Sequence, residues 1–209
     1  MKIISWNCKM AFRKKYQYLL DFEPNIIVIQ EAENFEWLQS QKIKEVSDSI
    51  WIGDNPNKGL GVIAFNNITF NKHSSYDQSF KYFLPLEVFI DESFIFNLIA
   101  VWAHKGKKSY TDYTHAAIKK YDSILNSESM LIGDFNSNKI WDSKPGLGNH
   151  SKTVELLEKK SIHSVYHSLY KEEFGEETNP TFFMYHHSNK PYHIDYCFAS
   201  TSLLTLRLV

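Results

Sequence analysis

An α/β fold of two packed sheets, with a helical layer outside each, is predicted for this 209-residue chain by three observations. Runs of strand length rich in Ile, Val, Phe and Trp recur from end to end. Several are apolar on consecutive positions, so both faces of those strands are buried. The strand candidates outnumber the helical ones that could serve as crossovers, which argues against a plain doubly wound parallel sheet. Hydrophobic residues at 43% and aromatics at 15% supply ample core for one large domain, taken here as residues 1–209.

In chain order, Lys2–Trp6 enters a strand at once through Ile3-Ile4. Phe12–Phe22 is a helical candidate, and Asn25–Gln30 carries the Ile-Ile-Val-Ile core of a second strand. A helix over Asn34–Ser40 precedes strands at Ile50–Gly53, Gly61–Phe65, Leu84–Ile90 and Phe94–Trp102. Tyr110–Leu125 is the longest helical candidate, and Ser129–Gly133 returns to a strand through Met130-Leu131-Ile132. Over Ser151–Lys160, Val154, Leu156 and Leu157 form an apolar face beside Glu155, Glu158 and Lys159. Strands follow at Ser161–Tyr166, Thr181–Tyr185 and Tyr192–Ser200, and Leu203–Val209 reads as the start of a further strand. No Gly/Ser/Pro linker or short repeat divides the chain.

The balance of 23 basic and 24 acidic residues leaves a formal charge of −1, which is no footprint for long-duplex binding. Arg13-Lys14-Lys15 and Lys105-Gly106-Lys107-Lys108 are the strongest basic runs, and each reads first as a solvated surface. No apolar run reaches the roughly 18 residues that span a membrane. The N-terminus leaves no room for a signal peptide, and two cysteines, Cys8 and Cys197, do not resemble a disulfide framework. A reduced cytoplasmic enzyme is the expectation.

Chemistry concentrates where apolar runs end. Gly133-Asp134-Phe135-Asn136-Ser137 places a carboxylate and a carboxamide two residues apart, on one side of an extended chain. Such a pair can hold a water and donate to an oxyanion, although Asx residues after strands are also ordinary turn formers. Asn7 ends the first strand, and Glu31 stands at the tip of an apolar run, where it is a metal ligand or a helix-entry residue. His104 ends Val101-Trp102-Ala103, as a donor or as a simple strand-end histidine. Asp195 lies within an aromatic strand, as part of a site or as a buried partner of a tyrosine or histidine. Zinc binding by His186, His187, His193 and Cys197 fits no common finger spacing, and there is no nucleophile elbow, P-loop or dinucleotide fingerprint.

Taken in order, Trp6-Asn7, Gln30-Glu31, His104, Gly133-Asp134-Phe135-Asn136 and His193-Ile194-Asp195-Tyr196 resemble the motifs of the endonuclease/exonuclease/phosphatase superfamily. The resemblance runs from Lys2 to about Ser200 and implies a four-layer α/β/β/α sandwich of the deoxyribonuclease I kind. It further implies that Asn7 and Glu31 hold a divalent cation, Mg²⁺ with Mn²⁺ as the alternative. By the same resemblance Asp134 activates the attacking water, Asn136 and His104 donate to the phosphoryl oxygens, and Asp195 orients a histidine at the transition state. The implied substrate is a phosphodiester, with a lean towards nucleic acid, hydrolysed in line without a covalent enzyme intermediate. Trp141, Asn149, His150 and the Thr181-Phe182-Phe183 strand are candidate substrate contacts. The pattern departs from the superfamily in one place: no Ser-Asp-His motif follows Ser200 to supply the histidine. The expectations are a C-terminal truncation, a replacement by His150, His186 or His187, or a protein that binds a phosphorylated ligand without turning it over.

Overall fold

The computed structural model describes residues 1–41, 43, 46–105, 109–126, 128–143 and 149–205. The chain divides into two compact units, Met1–Trp102 and Ala103–Val209.

The first unit opens with β1 (Ile3–Asn7), a 3₁₀ turn at Phe12–Lys14 and a short α1 (Gln17–Leu20). Next come β2 (Ile26–Ala32), α2 (Glu36–Gln41), β3 (Val46–Asn55) and β4 (Lys58–Phe65). These strands form one sheet in the order β1-β2-β4-β3, with β1 parallel to β2 and the other pairs antiparallel. β5 (Ile68–Lys72), β6 (Phe83–Ile90) and β7 (Ser93–Trp102) make an antiparallel meander that packs against this sheet through β4. Period-two geometry sends alternate residues of β2 to opposite faces, and all of Ile26–Gln30 are buried. On one of those faces Ile27, Ile29, Ile63 and Phe65 pack with Phe12, Leu19, Phe35 and Leu38 from the helical segments. That face-by-face burial is the physical meaning of the uninterrupted Ile-Ile-Val-Ile run.

The second unit contains α3 (Tyr110–Lys120), β8 (Ser129–Asp134), α4 (His150–Glu158) and β9 (Ile162–Ser164). α5 (Val165–Tyr170), β10 (Phe182–Phe183), β11 (Pro191–Tyr192), β12 (Asp195–Ser200) and α6 (Thr201–Thr205) complete it. β12 is flanked by β8 and β9, antiparallel to both. α4 and α5 pack on these strands, and α3 packs on α4. Ser109, Asn149 and Ser164 each cap a helix by accepting from a backbone N–H of its first turn.

Most predicted elements are present, and the differences have local causes. The Phe12–Phe22 helix breaks into a 3₁₀ turn and α1. The strand expected to run to Tyr166 stops at Ser164, whose side chain caps α5 instead. Thr181–Tyr185 keeps only Phe182–Phe183 as strand, because Tyr185 turns into the left-handed region at φ 55°. Leu203–Val209 does not begin as a strand: Thr201–Thr205 is helical, started by Thr201 donating its N–H and Oγ1–H to Ser161 O, while 206–209 lie outside the described residues. Ile68–Lys72, a strand the sequence reading passed over, buries Ile68 and half-buries Phe70 along one edge of the meander, with Thr69, Asn71 and Lys72 exposed.

Candidate functional site

In the first unit the geometry of Glu31 begins with a register fault. β1 and β2 pair in parallel as far as Asn7 opposite Gln30, which leaves Glu31 one step beyond. On its other side β2 shifts register against β4 between Gln30 and Ala32, so Glu31 is a bulged residue. Its φ of 59° lies in the left-handed region, a conformation disfavoured for a side chain of this size. The bulge turns Glu31 towards Asn7, whose Nδ2 donates to Oε1 at 3.4 Å, and towards Lys58, whose Nζ stands 3.2 Å from Oε2. Lys58 also lies over the Trp102 ring at 5.4 Å. The loop after β1 is held by Cys8 and Met10 donating to the carbonyls of Gln30 and Glu31. Lys9, Met10 and Ala11 are all left-handed.

Glu33, which the sequence reading did not single out, braces this loop. Its buried carboxylate accepts from the backbone N–H groups of Phe12 and Arg13 and from the Arg13 guanidinium. Burial alone would raise its pKa, but these donors outweigh burial and hold it below the usual carboxylate value. The Glu-x-Glu spacing of Glu31 and Glu33 was the available signal, masked by the ordinary expectation that acidic residues crowd a helix entry.

In the second unit β8 delivers Asp134 as its last residue, buried to 2% exposure. Gly133 before it adopts φ 148°, open to glycine and rarely to other residues. Asp134 Oδ1 accepts from the Asn136 N–H at 2.8 Å, and Asn136 sits in the left-handed region at φ 50°. Its Nδ2 donates to Ala103 O at 3.1 Å, while Ala103 N–H donates to Asp134 O at 2.7 Å. Through Ala103, Asn136 is tied beside His104 and the end of β8.

Asp195 occupies the β12 position directly opposite Asp134 in the antiparallel register. Its backbone N–H donates to Thr181 Oγ1 at 3.1 Å. Burial, reinforced by the negative charge of Asp134, pushes the Asp195 carboxyl up to about 7.

The three tentative substrate contacts separate. Trp141 is half-buried, with its ring 5.1 Å from that of Tyr192. Asn149 instead caps α4, accepting from Lys152 N at 2.8 Å. His150 corrects the expectation of a rim contact: it is 1% exposed, with Nδ1 2.9 Å from Ser137 Oγ and its ring 4.7 Å from that of Tyr196. Burial drives its pKa down to about 4, so it is a neutral core residue. It does not stand in for the histidine expected beside Asp195, and no histidine is hydrogen-bonded to the Asp195 side chain among the described residues. His187 is exposed. The side chain of His186 and the run 106–108 lie outside the description.

Among the described residues no group of three or more His, Cys, Asp or Glu converges to hold a metal ion. One amide and one carboxylate do meet at Asn7 and Glu31. Such a sparse all-oxygen set fits Mg²⁺, which keeps several waters and takes one or two carboxylates.

No family model and no curated protein matches this sequence. Solved structures match it in fold. A 3′-5′ exonuclease from Neisseria meningitidis is 16% identical, with a TM-score of 0.72, over 98% of this chain and 89% of that one. An AP endonuclease from Archaeoglobus fulgidus is 12% identical, with a TM-score of 0.65, over 97% of this chain and 87% of that one. An endonuclease/exonuclease/phosphatase family protein from Leptotrichia buccalis is 15% identical, with a TM-score of 0.58, over 95% and 87% respectively. The chain has the fold of these proteins.

Proposed function

We propose that this chain is a metal-assisted phosphoesterase that cleaves a phosphodiester, with nucleic acid or a nucleotide as the favoured substrate class. The carrying observation is the Asp134–Asp195 pair, opposite one another on adjacent strands, with the Asp195 carboxyl pushed up to about 7 by burial and by the Asp134 charge. A carboxylate poised near the working pH is suited to take a proton from water. The fold shared with nucleases and phosphatases supports the same chemistry.

In this reading Asp134, fixed through the Asn136 N–H, accepts the proton of the attacking water. The Asn136 carboxamide leaves Ala103 O to donate to a non-bridging phosphoryl oxygen, and His104 adds a donor from the same strand end. Asp195 lies beside it with a carboxyl raised by burial and by the Asp134 charge. Asn7 and Glu31 would hold the divalent cation, with Lys58 as the counter-charge to Glu31 in its absence. When bound, such a cation would supply Lewis-acid chemistry and charge neutralisation.

Hydrolysis of bis-p-nitrophenyl phosphate in the presence of Mg²⁺ tests the proposal. Asp134→Ala is expected to abolish turnover, and Asn136→Ala to lower kcat by about 10²–10³ as one transition-state donor is lost. Turnover that survives Asp134→Ala would overturn the assignment. The side chain of Asp195, to which no histidine bonds among the described residues, favours a second reading: a phosphate-ester binding module. Saturable nucleotide binding with no hydrolysis under Mg²⁺ or Mn²⁺ would select it.

A further inference from the structure

Lys58 is the first residue of β4, and its place is set by the hairpin that joins β3 to β4. Asn55 and Lys58 pair across that turn, Asn57 N–H donates to Asn55 Oδ1 at 2.9 Å, and Asn34 N–H donates to Pro56 O at 2.7 Å. The turn is thereby tied to the segment after β2, and it carries the Lys58 side chain to the Glu31 bulge. Nζ stands 3.2 Å from Glu31 Oε2, with the two side chains 40% and 20% exposed. An ion pair this open to solvent adds little to stability, so its weight lies in which carboxylate it occupies. Two neighbouring cations are committed elsewhere. The Arg13 guanidinium is on Glu33 at 2.9 Å, and Lys15 Nζ donates to Cys8 O at 2.7 Å and Met10 O at 3.1 Å.

Every side-chain oxygen of the Asn7–Glu31 pair meets a donor. Glu31 Oε1 accepts from Asn7 Nδ2 at 3.4 Å, Oε2 faces Lys58, and Asn7 Oδ1 accepts from the Lys9 N–H at 3.1 Å. A hard divalent ion needs lone pairs of these same oxygens, the carboxylate above all. An ion on Glu31 also stands within a few ångströms of the ammonium, where like charges repel. Lys58 has a second place to rest. Its Nζ lies 5.4 Å from the centre of the Trp102 ring, within the roughly 6 Å reach of a cation–π contact. That ring is a fixed platform: Trp102 is 6% exposed, its ring meets the Tyr82 ring edge-on at 4.8 Å, and its N–H donates to Tyr82 O at 2.9 Å. An ammonium released by Glu31 therefore keeps a partner.

We infer that Lys58 is an internal cation that competes with the divalent ion for Glu31, lowering the affinity of the centre and selecting for double charge. The inference rests on the reading of Asn7 and Glu31 as cation ligands and deepens it by naming a residue that governs their occupancy. A sodium or potassium ion brings Glu31 no more charge than the ammonium already supplies. The ammonium is moreover tethered, which gives it a high effective concentration at the carboxylate. A divalent ion brings twice the charge and displaces Lys58 towards Trp102.

Calorimetric titration of the full chain with Mg²⁺ and with Mn²⁺, in the absence of any substrate, tests this competition. Lys58→Met keeps an apolar stem near Trp102 and removes the charge. It is expected to bind either ion about fivefold more tightly, the scale of one partly exposed ion pair. Lys58→Arg restores a permanent charge and should return the affinity to within about twofold of the parent. Thermal melts give a second readout: at one sub-saturating Mg²⁺ concentration, the rise in midpoint over an EDTA control should be larger for Lys58→Met than for the parent. A salt bridge with a structural role alone would move neither quantity in that direction. Unchanged or weaker ion binding in Lys58→Met would overturn the inference. Equal tightening in Lys58→Arg, or no saturable binding of either ion by parent and variants alike, would also overturn it. Hydrolysis of bis-p-nitrophenyl phosphate reads the phosphoesterase proposal separately. Tightened binding without turnover would retain the role of Lys58 and remove the phosphoesterase, whereas Mg²⁺-dependent turnover with unchanged affinity would do the reverse.

Discussion

Asp195 and Asp134 face one another across two hydrogen-bonded strands, and pH is the variable that reports on them. Water activation is favoured once the Asp195 carboxyl ionises, so kcat/KM is expected to rise through pH about 7. Asp195→Asn should remove the rise near pH 7, because the carboxyl raised there is gone; a pH–rate profile checks it. The same shift acts on stability. A carboxyl whose pKa is raised on folding contributes stability that is full below its unfolded value near 3.8 and is lost as pH rises through about 7. His150 works in the opposite direction of pH. Its folded pKa is depressed from 6.5 to about 4, so stability is full above 6.5 and falls as pH drops through that window. Thermal melts of the parent and of His150→Phe between pH 7 and pH 4 should show the steeper acid loss in the parent. Asp134, Asn136, Asn7 and Glu31 were legible in the sequence as polar residues ending apolar runs, and Asp195 as a carboxylate within an aromatic run. The left-handed backbone of Glu31 and Asn136 was not, because neither residue type requires it; a bulge and an Asx turn impose it.

β4 shows how an element encodes its neighbours. A Cβ on Gly61 would stand 2.1 Å from Phe35 Cζ, and one on Gly59 would stand 2.5 Å from Trp51 ring atoms. Phe35 is itself buried, with its ring 6.5 Å from that of Phe12, so it has little room to yield. Gly61→Val should therefore cost about 1–3 kcal/mol of stability by overpacking, read as a lower urea midpoint at unchanged m-value. Strand periodicity located β1, β2, β4, β6, β7, β8 and β12 because burial on one or both faces writes itself into side-chain type. It misplaced the segment from Ser161 to Tyr192, where Ser164 and Tyr185 redirect the chain through a cap and a left-handed turn. Those are single-residue events that carry no period.

For the whole molecule, the formal charge of −1 sets what kind of substrate can be held without local contacts. Binding to long duplex DNA is expected to be weak and shallow in salt. Each phosphate neutralised adds about 0.9 to the slope of log K against log salt, and a slope magnitude below about 3 is predicted from titrations between 50 and 200 mM. No helix among the described residues is long and apolar enough to cross a membrane. By itself the sequence determined the α/β composition, most strand positions and the chemical types at the strand ends, because burial and strand termination leave local marks. Only the tertiary structure decided that Asp134 faces Asp195, that His150 is core, and that Lys58 reaches Glu31. Those facts depend on register and on contacts between residues distant in the chain, such as Asn138 with His193 and Tyr196. The physical reason is that a side chain's pKa and reach are set by what folding places around it, which no local run of residues specifies.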